Sequence, residues 1–234
     1  VISLLCPTRG RPANVSRMLE SVFSNDTSNT SQIVFFLDND DHITIEVVQS
    51  LLVEYGTRIK AKIGPRNRNI AKMHNHCASA ADGDILGLSD DDVVYRTIGW
   101  NEIIEEAFAA CPDKILLAYG ADGLHNQHHA THPFIHRTWL ETTGYFVPEY
   151  FTGDYSDTWL FDVATRLGRT RYLENLSTEH MHPAAGKAEW DATYNERFEL
   201  QATQNPGHLF DTLAHERVED ARKLQGVIDS CALS

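Results

Sequence analysis

The chain has 234 residues, 42% of them hydrophobic, enough for one large domain with a buried core. Its 33 acidic and 20 basic residues leave a net charge of −13, which argues against a protein that holds nucleic acid by charge alone. No apolar run approaches the roughly 20 residues of a membrane-spanning helix. VISLLC reads as a first strand rather than a signal peptide, and cysteines at 6, 77, 111 and 231 without CxxC spacing predict reduced thiols in a cytoplasmic protein.

In chain order, Ile2 to Cys6 reads as the first strand. After Pro12, residues Val15, Met18, Leu19, Val22 and Phe23 recur at helical spacing and predict an amphipathic helix. Gln32 to Leu37 is a second strand, ending in Asp-Asn-Asp-Asp. Val47, Val48, Leu51, Leu52 and Tyr55 mark a second helix; Ile70, Met73, Cys77, Ala78 and Ala81 mark a third, which stops at Asp82-Gly83. The apolar strand Asp84 to Leu88 runs straight into Ser89-Asp90-Asp91-Asp92. Trp100, Ile103, Ile104, Ala107 and Phe108 predict a helix closed by Cys111-Pro112, since proline cannot continue it. Ile115 to Tyr119 is the next strand. From Gly120 to Thr152 the periodicity fades into a stretch rich in His, Gly and aromatics, too long for an ordinary connection and therefore a candidate functional region. Trp159, Leu160, Val163, Ala164 and Leu167 restore a helix, Thr170 to Leu176 reads as a strand, and His208 to Ile228 as a charged amphipathic helix. The alternation predicts an α/β fold on a largely parallel sheet, and the absence of repeats and linkers predicts one domain.

The strongest chemical feature is the run of three aspartates at the carboxyl end of a strand. Adjacent carboxylates repel one another, and a divalent cation relieves that cost; an acidic surface turn is the plainer reading. Position favours a site, because ligands of open α/β sheets bind outside the carboxyl ends of the strands. Two further segments end at the same edge. Pro7-Thr8-Arg9-Gly10-Arg11-Pro12 offers a hydroxyl, two guanidinium groups and a helix amino terminus to an anion. Asp38 after the second strand offers a carboxylate to a ribose or base.

Strand-PTRGRP-helix, a second strand ending in Asp, and ILGLSDDDVV together resemble a GT-A glycosyltransferase of the family 2 type, over roughly residues 1 to 185. The resemblance implies a Rossmann-like mixed sheet flanked by helices, a nucleotide-diphosphate sugar donor and Mn²⁺ or Mg²⁺ on its diphosphate. It makes Pro7, Thr8, Arg9, Arg11 and Asp38 nucleotide contacts and assigns the metal motif to Asp90, Asp91 and Asp92. Laid on the commoner ILFLDSDD, the first aspartate of the motif falls on Ser89, so Asp92 is favoured as ligand, with Asp91 close behind and Asp90 assigned to substrate. Arg66, Arg68 and Lys72, in GPRNRNIAKMHNHC, occupy the family's basic donor loop. Asp157, in GDYSDTW, takes the place of the carboxylate that acts as base on an acceptor hydroxyl, with Asp154 in reserve; capping of the following helix is the plainer role. His180 and His182 are candidates for a further metal ligand, and they share a face if the strand continues.

Two assignments rest on the residues alone. Lys187, in GKAEWD, is placed to neutralise a leaving diphosphate, and Asp122 and Trp139 fall in the long His-rich stretch as acceptor-pocket residues. Residues 1–120 thus form a donor and metal half, 121–207 an acceptor and catalytic half, and 208–234 a C-terminal helix. The reading is an inverting, metal-dependent hexosyl- or pentosyltransferase using a UDP-sugar and an acceptor hydroxyl on a glycan, a small molecule or a hydroxylated DNA base. The rivals are a nucleotidyltransferase, whose usual Gly-rich loop LLCPTRGRP lacks, a carbohydrate-binding module of the same fold, and a zinc hydrolase built on His125, His128, His129, His132 and His136.

Overall fold

The computed structural model describes residues 1–233. Strands β1 (Ile2–Thr8), β2 (Ser31–Asp38), β3 (Ile59–Gly64), β4 (Ile85–Leu88), β5 (Val93–Tyr95), β6 (Leu117–Ala121), β7 (Phe134–His136) and β8 (Thr170–His180) form one sheet in the order β3-β2-β1-β4-β7-β6-β8-β5. The first four in that order are parallel, so the loops after Thr8, Asp38 and Leu88 leave at one edge. The remainder is mixed: β7 runs antiparallel to β4 and β6, β8 parallel to β6, and β5 antiparallel to β8.

Every residue of β1 and β2 is buried, as expected of strands covered on both faces. Alternate side chains divide between two cores. Ile2, Leu4, Cys6, Ile33, Phe35 and Leu37 pack with α1 (Pro12–Ser24) and α4 (Trp100–Ala109) on one side. Leu5, Val34, Phe36, Leu86 and Leu88 pack on the other with α3 (Ile70–Ala80), α5 (Arg137–Thr143), α6 (Ser156–Arg166) and α9 (Ala214–Ala232). Among the described residues, no helix is long and apolar enough to cross a membrane.

Several elements depart from the sequence pattern. β3 is an edge strand with partly exposed lysines at 60 and 62, so it lacks an apolar run. α2 begins at His42, five residues before the first periodic valine, because the Asp41 carboxylate accepts the Thr44 amide and caps it. The stretch read as irregular holds the three-residue β7 and the one-sided helix α5, both too short to show a period. β8 runs on to His180, its far half carrying polar residues because β5 pairs with it at Val93↔His180. Gly120 is fixed by this packing: a Cβ there would lie 2.5 Å from the carbonyl oxygen of Leu176. The tail is two helices, α8 (Pro206–Thr212) and α9, and α7 (Ala192–Gln204) precedes them with no apolar stripe to announce it.

Candidate active site

The loops after β1, β2 and β4 converge on a half-open cleft of about 120 Å³, lined by Pro7, Thr8, Arg9, Arg11, Asp38, Arg66 and Asp90 to Asp92, with α7 forming its opposite wall. Asp91 is the knot of this edge. Its carboxylate accepts hydrogen bonds from Thr8 Oγ1 at 2.7 Å and from Arg11 and Asn14, each at 3.3 Å. Burial pushes its pKa up to about 7, with Arg11 opposing and the neighbouring Asp92 adding to the rise. Asp38 is 3% exposed; one oxygen accepts from Arg9 at 3.0 Å and the other from the Asn67 amide at 2.9 Å. Arg9 also grips Asp40 with both terminal nitrogens.

The wall opposite supplies a carboxylate or hydroxyl to Arg11, Arg66, Arg68 and Asp92. Asp191, which caps α7, pairs with Arg11 through two bonds of 2.7 and 2.8 Å, and the Arg11 guanidinium lies 4.0 Å over the Tyr194 ring. Tyr194 donates its hydroxyl to Asp92 Oδ2 at 2.6 Å. Glu196 holds Arg66 at 2.8 Å and Arg68 at 2.9 Å.

Behind the cleft, Asp92, His132 and His180 present ligand atoms within 4.8 Å of one another, and all three are buried. The β5–β8 register sets His180 beside Asp92, with His180 Nε2 3.4 Å from Asp92 Oδ1. Asp92 Oδ1, both ring nitrogens of His132 and Nδ1 of His180 are buried without a hydrogen-bond partner. Such atoms are costly in a core unless something coordinates them, and one carboxylate with two imidazoles is a donor set that suits a divalent cation. Burial raises the Asp92 pKa, but His180 and the Tyr194 hydroxyl more than offset it, holding the carboxyl below its usual range. Asp91 and His182 stand outside this cluster. The bonds of Asp91 are given above, and His182 Nδ1 accepts the Ala184 amide at 3.0 Å.

Asp157 lies in the first turn of α6, two residues after Tyr155, which sits at φ 78°. Its Oδ1 accepts the Thr158 amide at 2.8 Å, and its Oδ2 lies 2.9 Å from His129 Nε2. Burial raises the Asp157 pKa, yet the His129 contact outweighs it and the carboxyl sits below its ordinary value; for His129, burial lowers the pKa and Asp157 reverses the sign. The carboxylate is therefore ionised and fixed in orientation at neutral pH, the state a general base requires.

Other expected site residues fall elsewhere. Asp122 is 1% exposed and saturated, accepting the amides of Leu124, His125 and Asn126 and the Thr131 hydroxyl; burial is opposed by those donors, which bring its pKa down to about 2. It shapes the loop rather than an acceptor pocket. Trp139 is 1% exposed within the second core, so its ring offers no face to a sugar. Asp154 is paired with Arg197 of α7, Lys187 with Glu179 at 2.7 Å, and Lys72 points to Glu149 at 4.0 Å, outside the cleft lining. The five-histidine run splits: His129 meets Asp157 and His132 meets the Asp92 cluster. Tyr194 and Asp191 had no signal in the sequence beyond being a capping aspartate and an aromatic in an unperiodic segment.

Residues 3–176 match the family model for glycosyl transferase family 2, and the chain belongs to that family. No curated protein matches it in sequence. Solved structures share its fold at low identity. TarS of S. aureus superposes with a TM-score of 0.60 at 13% identity, covering 79% of this chain and 37% of TarS, so the chain spans well under half of that relative. The 1–349 fragment of TarS in complex with UDP gives 0.60 at 15% identity, with 87% and 64% covered. A mannosyltransferase from Pyrobaculum calidifontis, in complex with GDP-Man and Mn²⁺, gives 0.57 at 13% identity over 100% of this chain and 75% of that one. The fold is thus the GT-A fold that the β1, β2 and β4 motifs suggested.

Proposed function

We propose that the protein transfers a sugar from a nucleotide-diphosphate sugar, a UDP-sugar in the first instance, to an acceptor hydroxyl with inversion. The observation that carries this reading is the set of partnerless buried ligand atoms on Asp92, His132 and His180 directly behind a cleft lined by Thr8, Arg9, Arg11 and Asp38, in a family 2 chain. The complexes of its structural neighbours with UDP, UDP-GlcNAc and GDP-Man are consistent with it.

In this mechanism Asp38 and Arg9 orient the ribose and base, and the guanidinium groups of Arg11 and Arg66 face the diphosphate. A divalent cation, Mn²⁺ or Mg²⁺, held at Asp92 and His180, would supply charge stabilisation to the departing diphosphate. Asp157 takes the acceptor proton as the hydroxyl attacks the anomeric carbon, and His129 holds its carboxylate in place. Direct displacement of the nucleoside diphosphate by the acceptor oxygen inverts the anomeric centre. The buried thiols of Cys6, Cys77 and Cys111 suit a reducing cytoplasm. The acceptor class is a glycan, a small molecule or a hydroxylated DNA base, the last disfavoured by the net charge of −13.

The test is product analysis with UDP- and GDP-sugars and Mn²⁺, with and without a panel of acceptors. Release of free nucleoside diphosphate, stimulated by one acceptor and abolished by a chelator, is the expected result. Release of a nucleoside monophosphate would favour nucleotidyl transfer, and binding without any turnover would favour a carbohydrate-binding module.

A further inference from the structure

We infer that His132 completes, with Asp92 and His180, a three-ligand centre that holds a first-row transition-metal ion on the protein alone, before any nucleotide arrives. His132 is 2% exposed, and neither of its ring nitrogens has a hydrogen-bond partner. A neutral imidazole carries one N–H and one lone pair, so leaving both unmet inside a core costs more than a sequence under selection for packing would retain without a ligand. The ring stands edge-on to His180 at 4.8 Å between centroids; His180 Nδ1 is buried without a hydrogen-bond partner, and Asp92 Oδ1 has only the distant His180 Nε2 at 3.4 Å. Nitrogen and oxygen ligands bind such ions at about 2.0–2.2 Å, so two ligands of one ion stand at most about 4.4 Å apart. The observed spread of 4.8 Å therefore closes with small side-chain rotations.

His180 ends β8, Asp92 lies in the turn directly before β5, and His132 lies in the bend two residues before β7. The Met181 amide donates to Asp92 O and the His180 amide to Asp122 O, each at 2.8 Å, while His132 directly precedes the Pro133 carbonyl that accepts the Leu88 amide at 2.9 Å. This backbone bracing preorganises the site. Three protein ligands with an open position is the arrangement of a catalytic ion that needs no substrate to be retained. Two imidazoles also set its preference: affinity for such nitrogen ligands rises from Mn²⁺ through Co²⁺ to the later first-row ions, whereas Mg²⁺ favours oxygen ligands and keeps its waters. The Asp90 carboxylate, 3.9 Å from His132 Nε2 and on the cleft side, remains free to face the donor.

The inference deepens the proposed transferase reading and rests on it for the role of the ion, but its test reads binding alone. Calorimetry of Mn²⁺ and Mg²⁺ into chelator-treated protein without nucleotide is expected to show one Mn²⁺ per chain, Mg²⁺ at least about a hundredfold weaker, and at least a tenfold loss in His132→Ala. Mn²⁺ binding that appears only with UDP, or equal affinity for the two ions, overturns it. Because His132→Ala removes a core side chain, pulsed EPR of Mn²⁺-loaded wild-type protein supplies the second reading: two coupled imidazole nitrogens are expected, and one or none overturns the centre. UDP release measured on the same preparation separates the two claims. A two-nitrogen centre without transfer overturns the transferase reading alone, and transfer without that centre overturns this inference alone.

Discussion

At Asp157 a single side chain serves two neighbours. One oxygen accepts the Thr158 amide and the other meets His129, so the residue steadies the start of α6 while remaining ionised. Asp157→Asn preserves the amide contact and removes the basic oxygen. Turnover should fall at least about a hundredfold while UDP affinity stays within twofold, measured by coupled assay and calorimetry. Near-normal turnover would pass the role to another acid. The same pair makes stability depend on pH. The depressed Asp157 pKa contributes stability above the unfolded value of about 3.9, lost as pH falls through the folded value; the raised His129 pKa contributes below about 6.5, lost as pH rises through its folded value. The melting-temperature gap between wild type and Asp157→Asn should therefore be widest near pH 5 to 6 and narrow on both sides. A gap independent of pH would show that the pair does not carry charge. The place of Asp157 at a helix start was legible because an acid after a glycine-aromatic turn is a local pattern. His129 was read only as one of five histidines of a zinc site, since its contact with Asp157 spans 28 residues and joins a loop to a helix.

At the scale of elements, α7 is the part least visible in the sequence and closest to the cleft. Its sequence ATYNERFELQATQ buries only Tyr194, so hydrophobic periodicity cannot reveal it. What fastens it is charge: Asp191 on Arg11, Glu196 on Arg66 and Arg68, Asp154 on Arg197. The guanidinium groups suited to a diphosphate are thereby occupied by carboxylates, and the cleft volume of about 120 Å³ falls short of the roughly 300–1,000 Å³ of ordinary ligand pockets. Donor binding must exchange these pairs or move α7. Glu196→Gln frees Arg66 and Arg68 at little cost to stability, because the pair is partly exposed. The expected outcome is a UDP dissociation constant lowered several-fold with an unchanged melting temperature. Weaker UDP binding would instead make Glu196 part of the donor site. β8 carries the complementary lesson: its apolar first half was readable, but its extension to His180 follows from pairing with β5, a tertiary cause that no local pattern records.

Across the whole molecule, the parallel half was the legible half. β1, β2 and β4 are buried on both faces and read as continuous apolar runs, and the motifs at their carboxyl ends converge on one cleft because parallel strands share an exit edge. In the mixed half β6 and the first part of β8 were legible, whereas the three-residue β5 and β7 and a metal-type cluster drawn from three separate segments were not. The cleft joins the two: Thr8 and Arg11 come from the parallel half, Thr152, Gly153 and Tyr194 from later segments, and Asp91 and Asp92 stand between them, with His132 and His180 behind. A ligand seated there bridges both halves and should stabilise the fold as a unit. Saturation at a hundred times the dissociation constant adds about 2.7 kcal/mol, and a chain of this size gains about 2–4 °C per kcal/mol. UDP with Mn²⁺ should thus raise the melting temperature by about 5–11 °C in a single cooperative transition, with a smaller rise for either alone. A scan that splits into two transitions, only one of them moved, would show that the halves respond separately. No shift with UDP or GDP at millimolar concentration would remove the nucleotide from the cleft altogether.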